Sequence, residues 1–466
     1  MTASSGGDPE TYPAHERPLR TLDTLPRVGI RDLARDRGRF FRPGGRHSPL
    51  WELGERFLID FPVGPKLVVT SSPQDAKAVF SDRDGTLSFG ELLRRFTPHE
   101  SLFGSDAFIF LDGEAHVQER RKIAPALHGK VLKSYERAMV DSVLRRLPEW
   151  PLGQPVEFSA IGRQLSLDVM MTVIFGVSKP ERMRRLERAM LAYCAVTESP
   201  SFLGVGLLSM AVRGRWLPIP KVARTAAAVD AIVLEEIAER RRTGSRPDDC
   251  LTMFLELNQQ EDEPHHDTFL ARSMRGLMLA GYAATAVTLG WLADLLVYQP
   301  DVLAALEESI DRGEDGYLDA VIAESLRLRP ALPVTGRRAQ RAFNLNGLLV
   351  PPGAYIIVAI MALHERADLH PDPLAFRPER FLGSRPETHT WLPFGGGVHR
   401  CLGDEFALFE ARVLLRTVLQ HRRLSAVQGR LGGRSSRHPL LVPAGGAPVV
   451  LSARDRAGES AGRMPR

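Results

Sequence analysis

Cys401 stands in the run Pro393-Phe-Gly-Gly-Gly-Val-His-Arg-Cys-Leu-Gly403, directly ahead of an amphipathic segment that reads as a helix from Asp404 to Gln420. The chain has three cysteines, Cys194, Cys250 and Cys401. They are too few and too scattered for a disulfide framework, so an active thiol works alone or with a metal. A lone buried cysteine is ordinarily a small apolar side chain. The setting of Cys401 points elsewhere, because outward-facing amides and the positive end of a helix stabilise a thiolate. Glycines let the backbone approach a flat molecule closely. No second Cys or His lies at the spacing of a zinc cage. A single thiolate suits an iron whose other ligands come from a macrocycle.

Two more spacings could do chemistry. Glu324-Ser-Leu-Arg327 places an acid and a base three residues apart on one helix face. In isolation that is a surface ion pair of small energy. His116-Val-Gln-Glu-Arg120 places two cationic donors four apart, aimed at one target, and a guanidinium suits a carboxylate. Alone, with Arg121 and Lys122 beside it, this is a solvated basic helix face.

Taken together these segments resemble the cytochromes P-450. Phe394, Gly397, His399, Cys401 and Gly403 match the defining positions of that family's cysteine loop, and Pro378-Glu-Arg-Phe381 completes the pattern begun at Glu324. The motifs run from residue 112 to 403 in the family's order, and the likeness covers the whole folded chain. It implies a mainly α fold with small β-sheets and a long central helix, binding heme b with Cys401 as the axial thiolate. It also implies that Glu324, Arg327 and Arg380 form a buried triad bracing the core beneath the cysteine loop. His116, Arg120, Arg337 (seven residues after Pro330) and His399 are then the contacts to the heme propionates.

The chain departs from the family in one place. Ala280-Gly-Tyr-Ala-Ala-Thr285 occupies the oxygen-binding stretch of the long helix, with Ala283 and Ala284 where most members carry an acid and a Thr that relay protons to dioxygen. Gly281 leaves room for the local helix distortion. Thr285 survives, but one residue along a helix is about 100° around the axis. Two readings follow. Either the enzyme oxygenates, with water or a substrate hydroxyl completing the proton path, or chemistry starts from an oxidant or leaving group already in the substrate. The second gives a redox-neutral rearrangement or nitrene-type transfer, and peroxide-driven oxidation belongs beside it. A heme sensor or carrier without catalysis is a third possibility. For the oxygenase, a small, partly hydrophobic substrate of secondary-metabolite character is expected. Its pocket would be lined by Phe89 in the 84–112 loop, the 190–220 region, Ala280, Gly281, Leu332 and Val334. Electrons would come from a separate ferredoxin and ferredoxin reductase docking at the face that carries Cys401.

These residues need elements to hold them. Residues 57–70 read as a hairpin around Pro62-Val-Gly-Pro65, and Ser71-Ser-Pro starts a short helix. Residues 84–112 read as a long loop. Helical periodicity dominates from Glu114 to Ile237, broken near Pro200–Pro220, and returns at 267–299 and 315–329. Residues 343–360 are strand-like around Val350-Pro-Pro-Gly353, and short strands follow at Leu440–Pro443 and Val449–Ser452. Gly276–Ala293 has no charge for eighteen residues, as a membrane span would. Its Gly, Ala and Thr content and its mid-chain position read instead as a helix buried on all sides.

The 466 residues, 44% hydrophobic and 25% charged, have the profile of a soluble globular protein. A net charge of +5 is thin for this length and speaks against nucleic-acid binding. One domain over 28–453 is expected, between a disordered N-terminus (1–27) and tail (454–466). The N-terminus has no apolar core of a signal peptide, so a cytoplasmic protein is expected, with no membrane partner.

Overall fold

Apolar residues at helical spacing dominate the chain, and the computed structural model is accordingly mainly α with small sheets. It describes residues 19–36, 52–61, 64–96, 102–104, 107–177, 179–197, 199, 219–261, 265–383, 388–427, 434–437 and 440–454. In the N-terminal part lie α1 (Ile30–Asp36), α2 (Pro73–Phe80) and α3 (Phe89–Phe96). There follow α4 (Gly113–Ile123), α5 (Leu132–Arg146), α6 (Phe158–Val169), α7 (Pro180–Thr197), α8 (Pro220–Thr243) and α9 (Cys250–Gln259). The rest are α10 (Asp267–Val297), α11 (Pro300–Asp311), α12 (Gly316–Leu328), α13 (Ile360–His364) and α14 (Asp404–His421).

The 31-residue α10 is the axis of the core, packing against α6, α8, α12 and α14. The second half of its uncharged run, residues 285–293, is buried against these helices. Phe158–Phe175 and Asp267–Val297 are long and apolar enough to cross a membrane, but 72% and 61% of their apolar windows are buried within the fold. A π-helical turn, Met170–Phe175, extends α6 and stops at Gly176 in the left-handed region (φ 48°). A Cβ there would lie 1.8 Å from the Asp249 carboxylate, so the site accepts only glycine. Asp249 is in turn held by the buried Arg240, which also donates to the carbonyls of Phe175 and Gly176.

Six strands form the main sheet, in order β1 (Arg27–Val28), β2 (Arg56–Asp60), β3 (Lys66–Thr70), β9 (Tyr355–Val358), β6 (Thr335–Ala339), β4 (Leu87–Ser88). The expected hairpin is the antiparallel pair β2–β3, with Pro62 and Val63 of its turn outside the described residues. A second sheet joins β10 (Arg422–Ala426), β13 (Pro448–Ala453) and β5 (Pro155–Glu157). Two hairpins pair β7 (Phe343–Leu345) with β8 (Leu348–Val350) and β11 (Arg434–Arg437) with β12 (Leu440–Pro443).

Three expectations change. The 84–112 stretch is not one loop: β4, α3 and a 3₁₀ turn at Phe108–Phe110 fall within it. Gly90 explains the compaction, since a Cβ there would sit 2.2 Å from the Phe110 carbonyl oxygen. Residues 19–28 are also ordered, Leu22 being buried and β1 running parallel to β2. Residues 1–18 and 455–466 lie outside the described residues, as do 198 and 200–218 of the expected pocket region. Finally, the strand-like run 343–360 ends in α13, not in strand.

Candidate active site

The loop between Leu392 and Asp404 is fixed by its own backbone. Gly395 N–H donates to Leu392 O (3.0 Å), Arg400 N–H to Gly397 O (3.0 Å) and Cys401 N–H to Phe394 O (2.9 Å). Gly395 and Gly397 have φ of 68° and 69°. Gly397 also touches protein, for a Cβ would lie 2.3 Å from the carbonyl oxygen of Phe80 in α2. Gly396 presses on the Phe80 ring in the same way. These two glycines therefore serve loop packing as much as approach to a cofactor. Gly403 differs: its φ of −102° is ordinary and a Cβ would meet nothing within 4 Å. Phe394 packs edge-on to Trp391 (centroids 5.9 Å) with the Arg400 guanidinium over its ring.

Cys401 has accessible surface, yet burial pushes its thiol pKa up. Both hold if the side chain lines an interior space, enclosed by protein but not covered by it. The Gly403 amide, Arg120 and Arg400 pull the thiol the other way without prevailing. Amides and a helix end alone do not hold a thiolate here; a cation at sulfur completes the balance. Among the described residues no group of three or more His, Cys, Asp or Glu could hold a metal. A heme, bringing four ligands of its own, fits a site with one sulfur and free space beside Gly403.

Cationic and imidazole groups converge on this loop from two elements, α4 and β6. Arg120 of α4 donates to the carbonyls of Arg400 (2.6 Å) and Cys401 (3.3 Å). Burial lowers its pKa. His116, one turn earlier, packs tilted against His399 (centroids 3.9 Å) and has the carbonyls of Val398 and Phe108 at 3.2 and 3.4 Å. Burial lowers the His116 pKa, and a neutral imidazole donates to only one of those carbonyls. Arg337 of β6 is 4% exposed, and burial brings its pKa down to about 10. Its partners are the carbonyls of Gly336 (2.7 Å) and Gly396 (3.2 Å) and the rings of Phe89 and Phe80. No carboxylate among the described residues pairs with it at ion-pair distance. A buried guanidinium held only by carbonyls and ring faces is suited to an incoming carboxylate, such as a heme propionate.

His399 Nε2 lies 3.1 Å from Asp112 Oδ1. Burial brings His399 down to about 4, the Asp112 bond opposing and Arg337 and His116 reinforcing the fall. Burial acts to raise Asp112, but hydrogen bonds from His399, Ser88 and Gly90 prevail and hold it at about 2. The contact is thus a neutral imidazole N–H donating to a carboxylate at neutral pH, not an ion pair. Phe89 packs on His399 (centroids 5.0 Å) and under Arg337, beside this polar cluster.

The triad forms beneath the loop. Arg327 donates to both Glu324 oxygens (2.7 and 2.8 Å), and Arg380 Nε to Glu324 Oε1 (3.1 Å). Glu324 and Arg327 are fully buried, and Arg327 Nη1 also donates to the carbonyls of His364 and Pro373. The chain of contacts goes further than the motifs foretell. His364 of α13 accepts from the Leu392 amide (2.7 Å), just ahead of the cysteine loop. Sequence reasoning missed His364 and the acceptor role of Asp112; a lone His in apolar Ile360-Met-Ala-Leu-His364 was the available signal.

On α10 the helix runs unbroken through Gly281, so the expected distortion is not seen. Gly281 has a packing reason instead: a Cβ would lie 2.9 Å from Met170 Sδ in the π-helical turn. Ala280 is exposed and Gly276, Leu277, Leu279, Gly281, Ala283 and Ala284 are half-buried, whereas residues 285–294 of the helix are buried throughout. Phe103 stands 3.5 Å from where a Gly276 Cβ would be. Thr285 is turned from this face and buried, its hydroxyl toward Glu410 of α14. Thr288, which sequence reasoning passed over, donates to the Ala284 carbonyl (2.9 Å). Leu332 and Val334 are exposed and half-buried between α12 and β6, with no described contact to the Ala280 face.

The comparisons agree with this geometry. The cytochrome P-450 family model matches residues 57–442. Cytochrome P-450 137 of Mycobacterium tuberculosis is 34% identical over 388 residues, covering 82% of this chain and 80% of the relative. Cytochrome P-450 138 of Mycobacterium bovis is 31% identical over 413 residues, 86% and 90% of the two chains. A solved cyanobacterial cytochrome P-450 with retinoic acid bound is similar in fold, with a TM-score of 0.73 over 94% of this chain and 99% of that one at 22% identity. The chain belongs to the cytochrome P-450 family, heme-thiolate monooxygenases.

Proposed function

We propose that the protein inserts one oxygen atom of dioxygen into a small organic molecule with a bulky apolar part, with Cys401 as the axial thiolate. The observation that supports this reading is the accessible stretch of α10 from Gly276 to Ala284, where exposed Ala280 and half-buried Gly276, Gly281, Ala283 and Ala284 carry no bulky side chain. Small apolar side chains on an accessible interior face seat an apolar ligand. When bound, the heme with sulfur behind its iron supplies activation of dioxygen and cleavage of its O–O bond.

The protein's own residues bind and orient. Arg337 would hold a propionate, with Arg120 and His116 beside it, while His399 gives its one N–H to Asp112 and braces the cluster; the Gly403 amide opposes the rise that burial imposes on the Cys401 thiol. Ala283 and Ala284 hold no proton, and the Thr285 hydroxyl faces Glu410. Protons therefore reach the site through water or a substrate hydroxyl. One C–H becomes C–OH, the second oxygen leaves as water, and two electrons and two protons enter. The electrons come from a ferredoxin and its reductase docked on the Cys401 side. Three cysteines in no disulfide suit a reducing compartment, the cytoplasm.

The apolar pair Ala283-Ala284 also favours a second reading, in which the oxidant enters with the substrate or as peroxide. Product formation measured with and without dioxygen and reductant separates the two. Product that requires both and carries oxygen from dioxygen is expected. Turnover without either sinks the monooxygenase reading and installs the second. Ala284→Thr should raise the yield of product per electron consumed.

A further inference from the structure

Arg275 stands directly ahead of Gly276, where the accessible stretch of α10 begins, and is itself buried. A guanidinium is a rigid fork whose edges can hold different groups. Its Nε and Nη2 donate to Asp230 of α8 (2.6 and 3.3 Å). Its Nη1 donates to the Leu102 carbonyl and to the Tyr193 hydroxyl of α7 (3.1 Å). Tyr193, fully buried, donates in turn to the same Leu102 carbonyl (2.6 Å). Burial pushes the Tyr193 phenol up to about 12, so it is a donor at neutral pH. One carbonyl oxygen thus accepts from two side chains, one for each lone pair.

A buried arginine between helices is ordinarily a brace, and Asp230 and Tyr193 alone would make Arg275 one. Its third partner differs. Leu102 belongs to the short segment 102–104, and the next residue, Phe103, reaches back to α10. Its Cδ1 is 3.5 Å from where a Gly276 Cβ would be. Arg275 and Gly276 therefore seat Leu102 and Phe103 together, one by hydrogen bond and the other by ring contact. The Phe103 ring is half-buried and meets Phe110 edge-on (centroids 5.7 Å). Gly276 lies seven residues ahead of Ala283, about 10 Å along the helix axis. The phenyl ring accordingly stands at the N-terminal end of the accessible stretch.

We propose that Arg275 is a positioning residue that fixes Phe103 as the end wall of the substrate space, so that the apolar part of the substrate extends along α10 no farther than Gly276. The proposal rests on the functional reading for one point, that the accessible stretch of α10 seats the substrate. Lysine cannot take the place of Arg275, because one ammonium cannot hold Asp230 with one edge and Leu102 with another. Tyr193→Phe is the milder change: it keeps the Arg275–Asp230 pair and takes one of two donors from the Leu102 carbonyl.

Chymotrypsin cleavage of the holoenzyme after Phe103, mapped by mass, tests the positioning by itself. It should run about tenfold faster in Arg275→Lys, the effect of losing roughly one charge-assisted hydrogen bond, and severalfold faster in Tyr193→Phe. Cleavage as slow as in wild type in both variants overturns the proposal. The second arm titrates 1-alkylimidazoles, from methyl to dodecyl, whose ring binds the heme iron while the tail occupies the substrate space. Wild-type affinity should climb by roughly fourfold per methylene and level off where the tail meets Phe103. In Phe103→Ala and in Arg275→Lys the climb should continue, so that dodecylimidazole binds about tenfold tighter than in wild type. The double variant should gain no more than Phe103→Ala alone. A plateau at the wild-type length in Arg275→Lys, or additive effects, refutes the role. Affinity that ignores tail length already in wild type faults the functional reading, and the wall falls with it; unchanged cleavage after Phe103 faults Arg275 alone.

Discussion

At the scale of single residues, Arg337 shows how a binding group differs from a bracing one. Its guanidinium is buried among carbonyls and phenyl rings, so the fold bears an uncompensated charge that a propionate would relieve. Arg337→Leu should therefore weaken heme retention while leaving the heme-free protein at least as stable. A charge-assisted bond is worth about 1.5–3 kcal/mol, or roughly 10- to 100-fold in heme dissociation. Heme transfer to apomyoglobin, followed alongside the melting temperature of the heme-free protein, checks both halves; equal heme loss in wild type and variant would refute it. Arg337, His116, Arg120 and His399 were legible because the motifs are short and local. Phe89 was legible as an aromatic residue near the site, but a sequence does not show that its ring meets His399 and Arg337. Asp112 was not legible, since nothing in Asp112-Gly-Glu114 announces that its carboxylate will gather Ser88, Phe89, Gly90 and His399.

At the scale of elements, the cysteine loop is held as much by α2 as by itself. Gly397 needs a positive φ and also sits where a Cβ would strike the Phe80 carbonyl at 2.3 Å, a backbone atom that cannot step aside. Gly397→Ala should accordingly disturb the loop by about 1–3 kcal/mol. The readout is the fraction of reduced, carbon-monoxide-bound protein with the red-shifted thiolate band, which should fall well below wild type. Gly403→Ala, with an ordinary φ and no protein contact, should cost little in the heme-free protein and more once heme is bound. The long helix was legible from its apolar run, but its rotation was not. A one-residue step of about 100° says only that Thr285 leaves the face of Ala284; that it lands buried, 3% exposed, is set by helices from elsewhere in the chain that pack against α10. Helix α3 was illegible for a related reason. Eight residues with two Arg, a Gly and a Glu make little pattern, and the tight seat of Gly90 on Phe110 is a tertiary fact.

At the scale of the whole molecule, the sequence's odd preference for Arg (54 of 61 basic residues, seven being Lys) acquires a use. Forked guanidinium–carboxylate pairs tie distant segments together: Arg146 to Asp168, Arg185 to Glu235, Arg412 to Asp319, Arg56 to Asp75. The deepest of these links is the line from Glu324 through Arg327 and His364 to the Leu392 amide, and it makes the fold sensitive to acid. Burial brings His364 down to about 3, so its neutral form is the one the native state holds. Its Nε2 can accept from Leu392 only when unprotonated. The sign follows from linkage: the unfolded imidazole titrates near its ordinary value of 6.5, and the native one far lower. Stability from this group is full above that ordinary value and is lost as pH falls toward about 3. The loss amounts to a few kcal/mol by order of magnitude, at about 1.4 kcal/mol per pKa unit. Glu410 acts in the opposite direction, its contribution fading as pH rises from about 4.5 through about 8. Melting temperatures taken from about pH 4 to 9 should thus fall at both ends. His364→Gln should flatten the acid limb and leave the alkaline one, at the cost of a lower maximum from the weakened seat under Leu392. An acid limb as steep in that variant as in wild type would assign the loss to other imidazoles, with His399, held at about 4 beside Asp112, the next to replace.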